Sequence, residues 1–118
     1  MALERGIGLF SKGHQIKSPK TAARWVALGD YYQVQKKYDQ AQKTYHSAFW
    51  AISSEKESKN LPSINSLYSK KQALQILTKK VAAMLTLYER SKYSVSLIEI
   101  YNQAEYNLEV FQALKSSL

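Results

Sequence analysis

The 118-residue chain contains no cysteine. Disulfide bridges and thiolate metal sites are thereby excluded, and the absence fits a reducing cytoplasm, the expected location. Proline is scarce, with two residues, and so is glycine, with four, of which Gly6, Gly8 and Gly13 lie in the N-terminal lead-in. No segment alternates apolar and polar residues beside turn signals. Helices are therefore expected throughout and no sheet. No run approaches the roughly 20 apolar residues that span a bilayer. Met1–Phe10 is interrupted by Glu4 and Arg5 and is too short for a secretory apolar core, and Ala2 replaces the glycine that myristoylation requires.

Acidic residues are also few: 9 against 17 Lys and Arg, for a net charge of +8. The imbalance is uneven. Lys12 to Lys92 holds 15 basic and 5 acidic residues, whereas Tyr93 to Leu118 holds one Lys and three Glu. A basic body points to an acidic partner surface, nucleic acid or a membrane face, or simply to solvated lysines that keep the protein soluble. The length suits one domain, and hydrophobic residues, at 45%, suffice for a core without staples.

The sequence divides into a lead-in, 1–18, and a helical domain, 19–118. In the lead-in Leu3, Ile7 and Phe10 have helical spacing, which predicts a short helix near Ala2–Phe10. Ser18-Pro19 is a helix start: Ser18 can cap and proline suits the first turn. Ala22, Trp25, Leu28, Gly29 and Tyr32 then share one face of a helix from Pro19 to about Gln35. Asp39, with Gln42 three residues on, predicts a capping box for a second helix to about Ser54, carrying Ala41, Tyr45, Ala48, Phe49 and Ile52. Residues 55–62 read as a loop. Ile64, Leu67, Leu74, Leu77, Val81, Met84, Leu85 and Tyr88 predict one helix over about 63–91, with a break between Gln72 and Thr78 left open. After Ser91-Lys92-Tyr93, a last helix over about 94–115 has the stripe Leu97, Ile100, Tyr101, Ala104, Leu108 and Phe111.

The joint spacing of Trp25, Leu28, Gly29, Tyr32, Ala41, Tyr45 and Ala48 resembles the tetratricopeptide repeat, and Lys37-Tyr38-Asp39 matches that family's inter-helix turn. Small residues at 29 and 41 allow two helices to approach while the large ones fill the seam. Ser53 stands where the family usually has proline. A weaker copy appears 56 residues on, in Val81, Met84, Leu85, Tyr88, Leu97, Tyr101 and Ala104, although the usual offset is about 34. The resemblance implies an all-α fold of antiparallel hairpins stacked as a short right-handed array, with about four main helices besides the short N-terminal one.

It also implies a concave groove lined by the first helix of each hairpin. The corresponding positions are Ala23, Val26, Asp30, Gln33 and Val34, then Lys79, Ala82, Thr86, Glu89 and Arg90. The carboxylate clamp of heat-shock co-chaperones is not implied: its Lys and Asn positions hold Val26 and Asp30, and Asp30 would repel a carboxylate. Apolar candidates for exposed interfaces are Leu9, Phe10, Phe49 and Trp50, with Trp50 expected to pack on the third helix. Such contacts would also allow self-association through the array's ends.

Catalytic and metal patterns are missing. His14 and His46 have no ligand partners at metal spacing, and Gly6-Ile7-Gly8 follows no strand. No enzyme activity, cofactor or metal is expected. The leading expectation is a non-catalytic protein-interaction module, as adaptor, assembly subunit or secretion-type chaperone. The alternative is a basic nucleic-acid-binding accessory protein, which would use Lys36-Lys37, Lys70-Lys71 and Lys79-Lys80 with interleaved tyrosines.

Overall fold

Ser18 is extended and its Oγ accepts a 3.1 Å hydrogen bond from the Thr21 N–H, with Pro19 next in line, so the first helix begins where local chemistry favours it. The computed structural model describes residues 17–90 and 95–116. Among these the elements are α1 (Pro19–Val34), α2 (Tyr38–Trp50), a 3₁₀ turn (Ile64–Ser66), α3 (Lys70–Arg90) and α4 (Leu97–Ser116). The architecture is all-helical. Each helix packs on the next in sequence, and α1 also touches α3. The expected lead-in helix and the Ser91-Lys92-Tyr93 turn lie outside the described residues.

α1 ends in a Schellman-type reversal. Lys37 N–H donates to the Tyr32 carbonyl at 2.9 Å, Lys36 N–H donates to Gln33 at 3.0 Å, and Lys36 takes a positive φ of 62°. This left-handed residue turns the chain straight into α2. The capping box expected at Asp39 does not form: Lys37 occupies the cap position without a side-chain bond. Asp39 sits in the first turn instead, pairing with Lys43 at 3.0 Å and accepting from Gln42 Nε2 at 3.1 Å. The Lys43 bond holds its carboxyl below the usual range.

The α1–α2 seam closes around Gly29. A β-carbon there would lie 2.4 Å from Tyr45 Cε1. Ala22, Leu28, Tyr32, Ala41, Tyr45, Ala48, Phe49 and Ile52 are buried with Ala73, Ile76 and Leu77 of α3 in one core. Trp25, expected in its centre, is partly buried at its edge. Phe49 and Trp50 are not exposed. Phe49 is fully buried edge-on to Tyr106, at 5.8 Å between ring centroids. Trp50 is buried, its indole N–H donating to the Asn60 carbonyl of the following loop at 3.0 Å.

The predicted helix over 63–91 is shorter at its N-terminal end. Residues 53 and 67 form an antiparallel bridge, flanked by Ser54 N–H to Ser66 O at 2.9 Å and Tyr68 N–H to Ile52 O at 2.7 Å. Leu67 is buried against the core, with Leu61 and Ile64 packed beside it. A continuous helix could not fold these three side chains back over the end of the α1–α2 hairpin. Ser69 then restarts the helix: its Oγ accepts from Gln72 N–H at 3.1 Å and its carbonyl from Ala73 N–H at 2.9 Å. Ser96 caps α4 in the same way, accepting from Glu99 N–H at 3.0 Å.

α4 differs most from expectation. The side chains it buries are Ile100, Gln103 and Val110. Of the expected stripe, Leu97, Tyr101, Leu108 and Phe111 are exposed by 52, 64, 55 and 49%. A physical reason lies in the small residues of the first hairpin. Shifted by 56, Gly29 and Ala41 become Leu85 and Leu97. Two leucines at those positions prevent the close approach that two small residues permit, so the second seam uses a different face of α4.

Candidate functional site

α1 and α3 both pack on α2 and run parallel to each other. Gln72 Nε2 donates to the Pro19 carbonyl at 3.0 Å near one end, and Lys79 pairs with Asp30 at 3.0 Å two to three turns further on. Between these two ties lies a cleft of about 450 Å³, lined by Ala23 and Val26 from α1 and by Gln72, Gln75, Ile76 and Lys79 from α3. Its floor is apolar and its rim is amide and ammonium.

Asp30 marks the end of this cleft. Its carboxylate accepts from both Lys79 Nζ, at 3.0 Å to each oxygen, and Tyr45 Oη, at 2.5 Å. Burial, together with the Asp30 carboxylate, pushes the Tyr45 hydroxyl well above its ordinary pKa, so it stays a donor. The Asp30–Lys79 pair is half-exposed, and such pairs contribute about 0–1 kcal/mol. It can therefore open at little cost to present either charge.

The structure brings Ala23, Val26, Asp30 and Lys79 together. Gln33 is partly buried with its Oε1 lacking a hydrogen-bond partner, and Val34, at 82% exposed, lies in the last turn of α1. Ala82, Thr86 and Glu89 continue along α3 beyond the cleft lining, Ala82 and Glu89 exposed and Thr86 partly buried. Arg90 is turned to another surface, its guanidinium 5.3 Å from the Tyr38 ring centroid. Of the expected positions, Ala23, Val26 and Lys79 line the cleft and Asp30 stands at its end. The residues Gln72, Gln75 and Ile76 line it without having been expected there. A helix start at Ser69, readable from Ser69-Lys70-Lys71-Gln72 as a capping pattern, would have placed them in register with α1.

A second polar cluster lies on the other side of α3. Lys80 is 3% exposed, and its Nζ lies 2.9 Å from His46 Nδ1. In the tautomer whose Nδ1 accepts from the ammonium, Nε2 donates to the Ser58 carbonyl at 2.8 Å. Burial lowers the Lys80 pKa to about 8, with Glu99 acting in the opposite sense. Burial and then the Lys80 charge also lower that of His46. The surrounding pocket, about 640 Å³, mixes Lys43, Lys59 and Lys80 with Glu57 and Glu99. Lys80 is consequently not the exposed half of a Lys79-Lys80 phosphate contact.

The third surface is the exposed apolar stripe of α4. Beside it Val81 and Leu85 of α3, with Leu97, Ile98, Ile100, Tyr101 and Ala104 of α4, line a groove of about 550 Å³. Periodicity placed Leu97, Tyr101 and Ala104 in a stripe expected to face the core, and of that stripe Ile100 does so.

Among the described residues, no helix is long and apolar enough to cross a membrane, and no group of three or more His, Asp or Glu is placed to hold a metal ion. Comparison of the chain with protein-family models, with curated proteins and with solved structures gives no match.

Proposed function

We propose that the protein is a non-catalytic interaction module that holds a segment of another protein in the cleft between α1 and α3. The observation that carries this reading is the cleft itself: an apolar floor of Ala23, Val26 and Ile76 beside the openable Asp30–Lys79 pair. Apolar contacts supply affinity, while a few placed polar groups set orientation. The fitting ligand is an extended or helical segment with apolar side chains and a charged group that competes for one member of the pair. The first hairpin supports the kinship with tetratricopeptide scaffolds, since Gly29, Ala41 and Tyr45 form the close seam that the resemblance implies.

The test is affinity capture on the intact chain, with bound proteins identified by mass spectrometry and contacts mapped by crosslinking. Val26→Arg and Ala23→Arg should each remove a reproducible set of partners while the helical circular dichroism is kept. The same set retained by both folded variants would refute the cleft as the binding site.

A further inference from the structure

We propose that the outer face of α4 is a second docking site, one that takes a basic amphipathic helix from another protein. The reading begins with an inversion. α4 turns Gln103 into the molecule, where its Oε1 is buried without a partner, and turns Leu97, Tyr101, Leu108 and Phe111 outward. Contiguous exposed side chains of this kind mark interaction surfaces, whereas scattered ones need no explanation.

The shape of the surface suits a helix. The stripe from Leu97 to Phe111 covers about 21 Å of helix length. The groove beside it is lined by α3 as well as α4, so an added helix would lie against both. α3 already lies in this way against α2 and the turn after it, where Tyr45, Ala48 and Ile52 are buried. The positions 56 residues on are Tyr101, Ala104 and Leu108, all open.

Charge chooses the partner. By helical periodicity Glu105 and Glu109 run along the solvent edge of the stripe, in a chain whose remainder is strongly basic. A helix seated in the groove would set its flanking side chains beside these carboxylates, so lysine or arginine there is complementary. A second copy of the chain fits poorly. Two α4 faces packed antiparallel about a two-fold axis would set their glutamates side by side. Among the described residues, the large apolar side chains exposed elsewhere are Val34 and Tyr68, which form no stripe.

The experiment uses the whole chain and two synthetic 18-residue helical peptides. Both carry leucine at the same four stripe positions, and the flanks are lysine in one and glutamate in the other. Fluorescence anisotropy should show the lysine peptide binding at least tenfold more tightly. Amide shifts in nuclear magnetic resonance spectra should map to α4 and the adjoining turns of α3. Tyr101→Asp or Leu108→Asp should abolish binding, Glu105→Lys with Glu109→Lys should reverse the peptide preference, and Val26→Arg should leave binding unchanged. Equal binding of the two peptides, or shifts confined to the α1–α3 cleft, would overturn the proposal. So would sedimentation showing a dimer that Leu108→Asp dissolves, which would make a second copy the occupant. Binding that appears only after removal of residues 1–16 would instead assign the face to the chain's own N-terminal segment.

Discussion

The Tyr45 ring rests directly on the α-carbon of Gly29, with three of its carbons within 2.9 Å of where a β-carbon would stand. Tyr45 cannot swing away readily: it is 2% exposed and its hydroxyl is tied to Asp30. Gly29→Ala gains about 1 kcal/mol of helix propensity but overpacks the seam, which costs about 1–3 kcal/mol or more. Net destabilisation is expected in urea unfolding. Tyr45→Leu added to Gly29→Ala should recover part of it, because the clash is with the ring. Additive losses in the double variant would contradict the seam geometry.

Lys36 holds a left-handed conformation that costs an L-residue about 1–2 kcal/mol, at a position where helices prefer glycine. Lys36→Gly should therefore raise stability by about 0.5–1 kcal/mol, the gain being reduced by the greater freedom of glycine in the unfolded chain. Lys37→Gly, one residue on at a negative φ, should instead be neutral or harmful. Thermal melts of the two variants provide the comparison.

Lys80 makes stability depend on alkaline pH. Below about pH 8 it is charged in both folded and unfolded chains, and the cost of burying the charge is carried in full. Between pH 8 and about 10.5 the unfolded chain keeps the proton that the folded one releases. Unfolding then takes up a proton, and stability rises with pH by about 3 kcal/mol at most. Lys80→Met should remove this rise and increase stability at pH 7. His46 acts at the acid end. Its lowered pKa means that, as pH falls below about 6.5, the unfolded chain gains a proton first and stability declines. Denaturant titrations from pH 5 to 10 on both proteins would resolve the two limbs.

The orientation of α4 can be read from a pair of truncations. Val110→Ala removes fully buried methyl groups and should cost about 2 kcal/mol. Leu108→Ala, on the open stripe, should change stability by no more than about 0.5 kcal/mol. The reverse order would show the stripe, not Val110, to be the buried face.

Much of the fold was present in local patterns. Ser18-Pro19 marks the first start, and the spacing of Leu28, Gly29, Tyr32, Ala41 and Tyr45 specifies a tight hairpin, because small and large residues at these intervals can meet only across a close seam. The starts at Ser69 and Ser96 were also written there, as serine followed three residues later by Gln72 and Glu99, but a sustained apolar period hid the first of them. Around the cleft, Ala23, Val26, Asp30 and Lys79 are positions that the tetratricopeptide resemblance implies. Gln72, Gln75 and Ile76 are not among them, because their placement depends on where α3 begins.

By itself, then, the sequence determined that the chain is helical and that its first two helices pack as a close pair, since period, capping and side-chain size act within a few turns. Tertiary structure alone decided the rest. It broke the expected long helix, because Leu61, Ile64 and Leu67 are held by a core and a backbone bridge contributed by residues more than a dozen positions earlier. It buried Lys80 against His46, 34 residues away. It left the apolar side of α4 open, because a stripe states that a helix has a face to cover but not what covers it. At α4 the two leucines standing at the places of Gly29 and Ala41 keep the neighbouring helix from doing so.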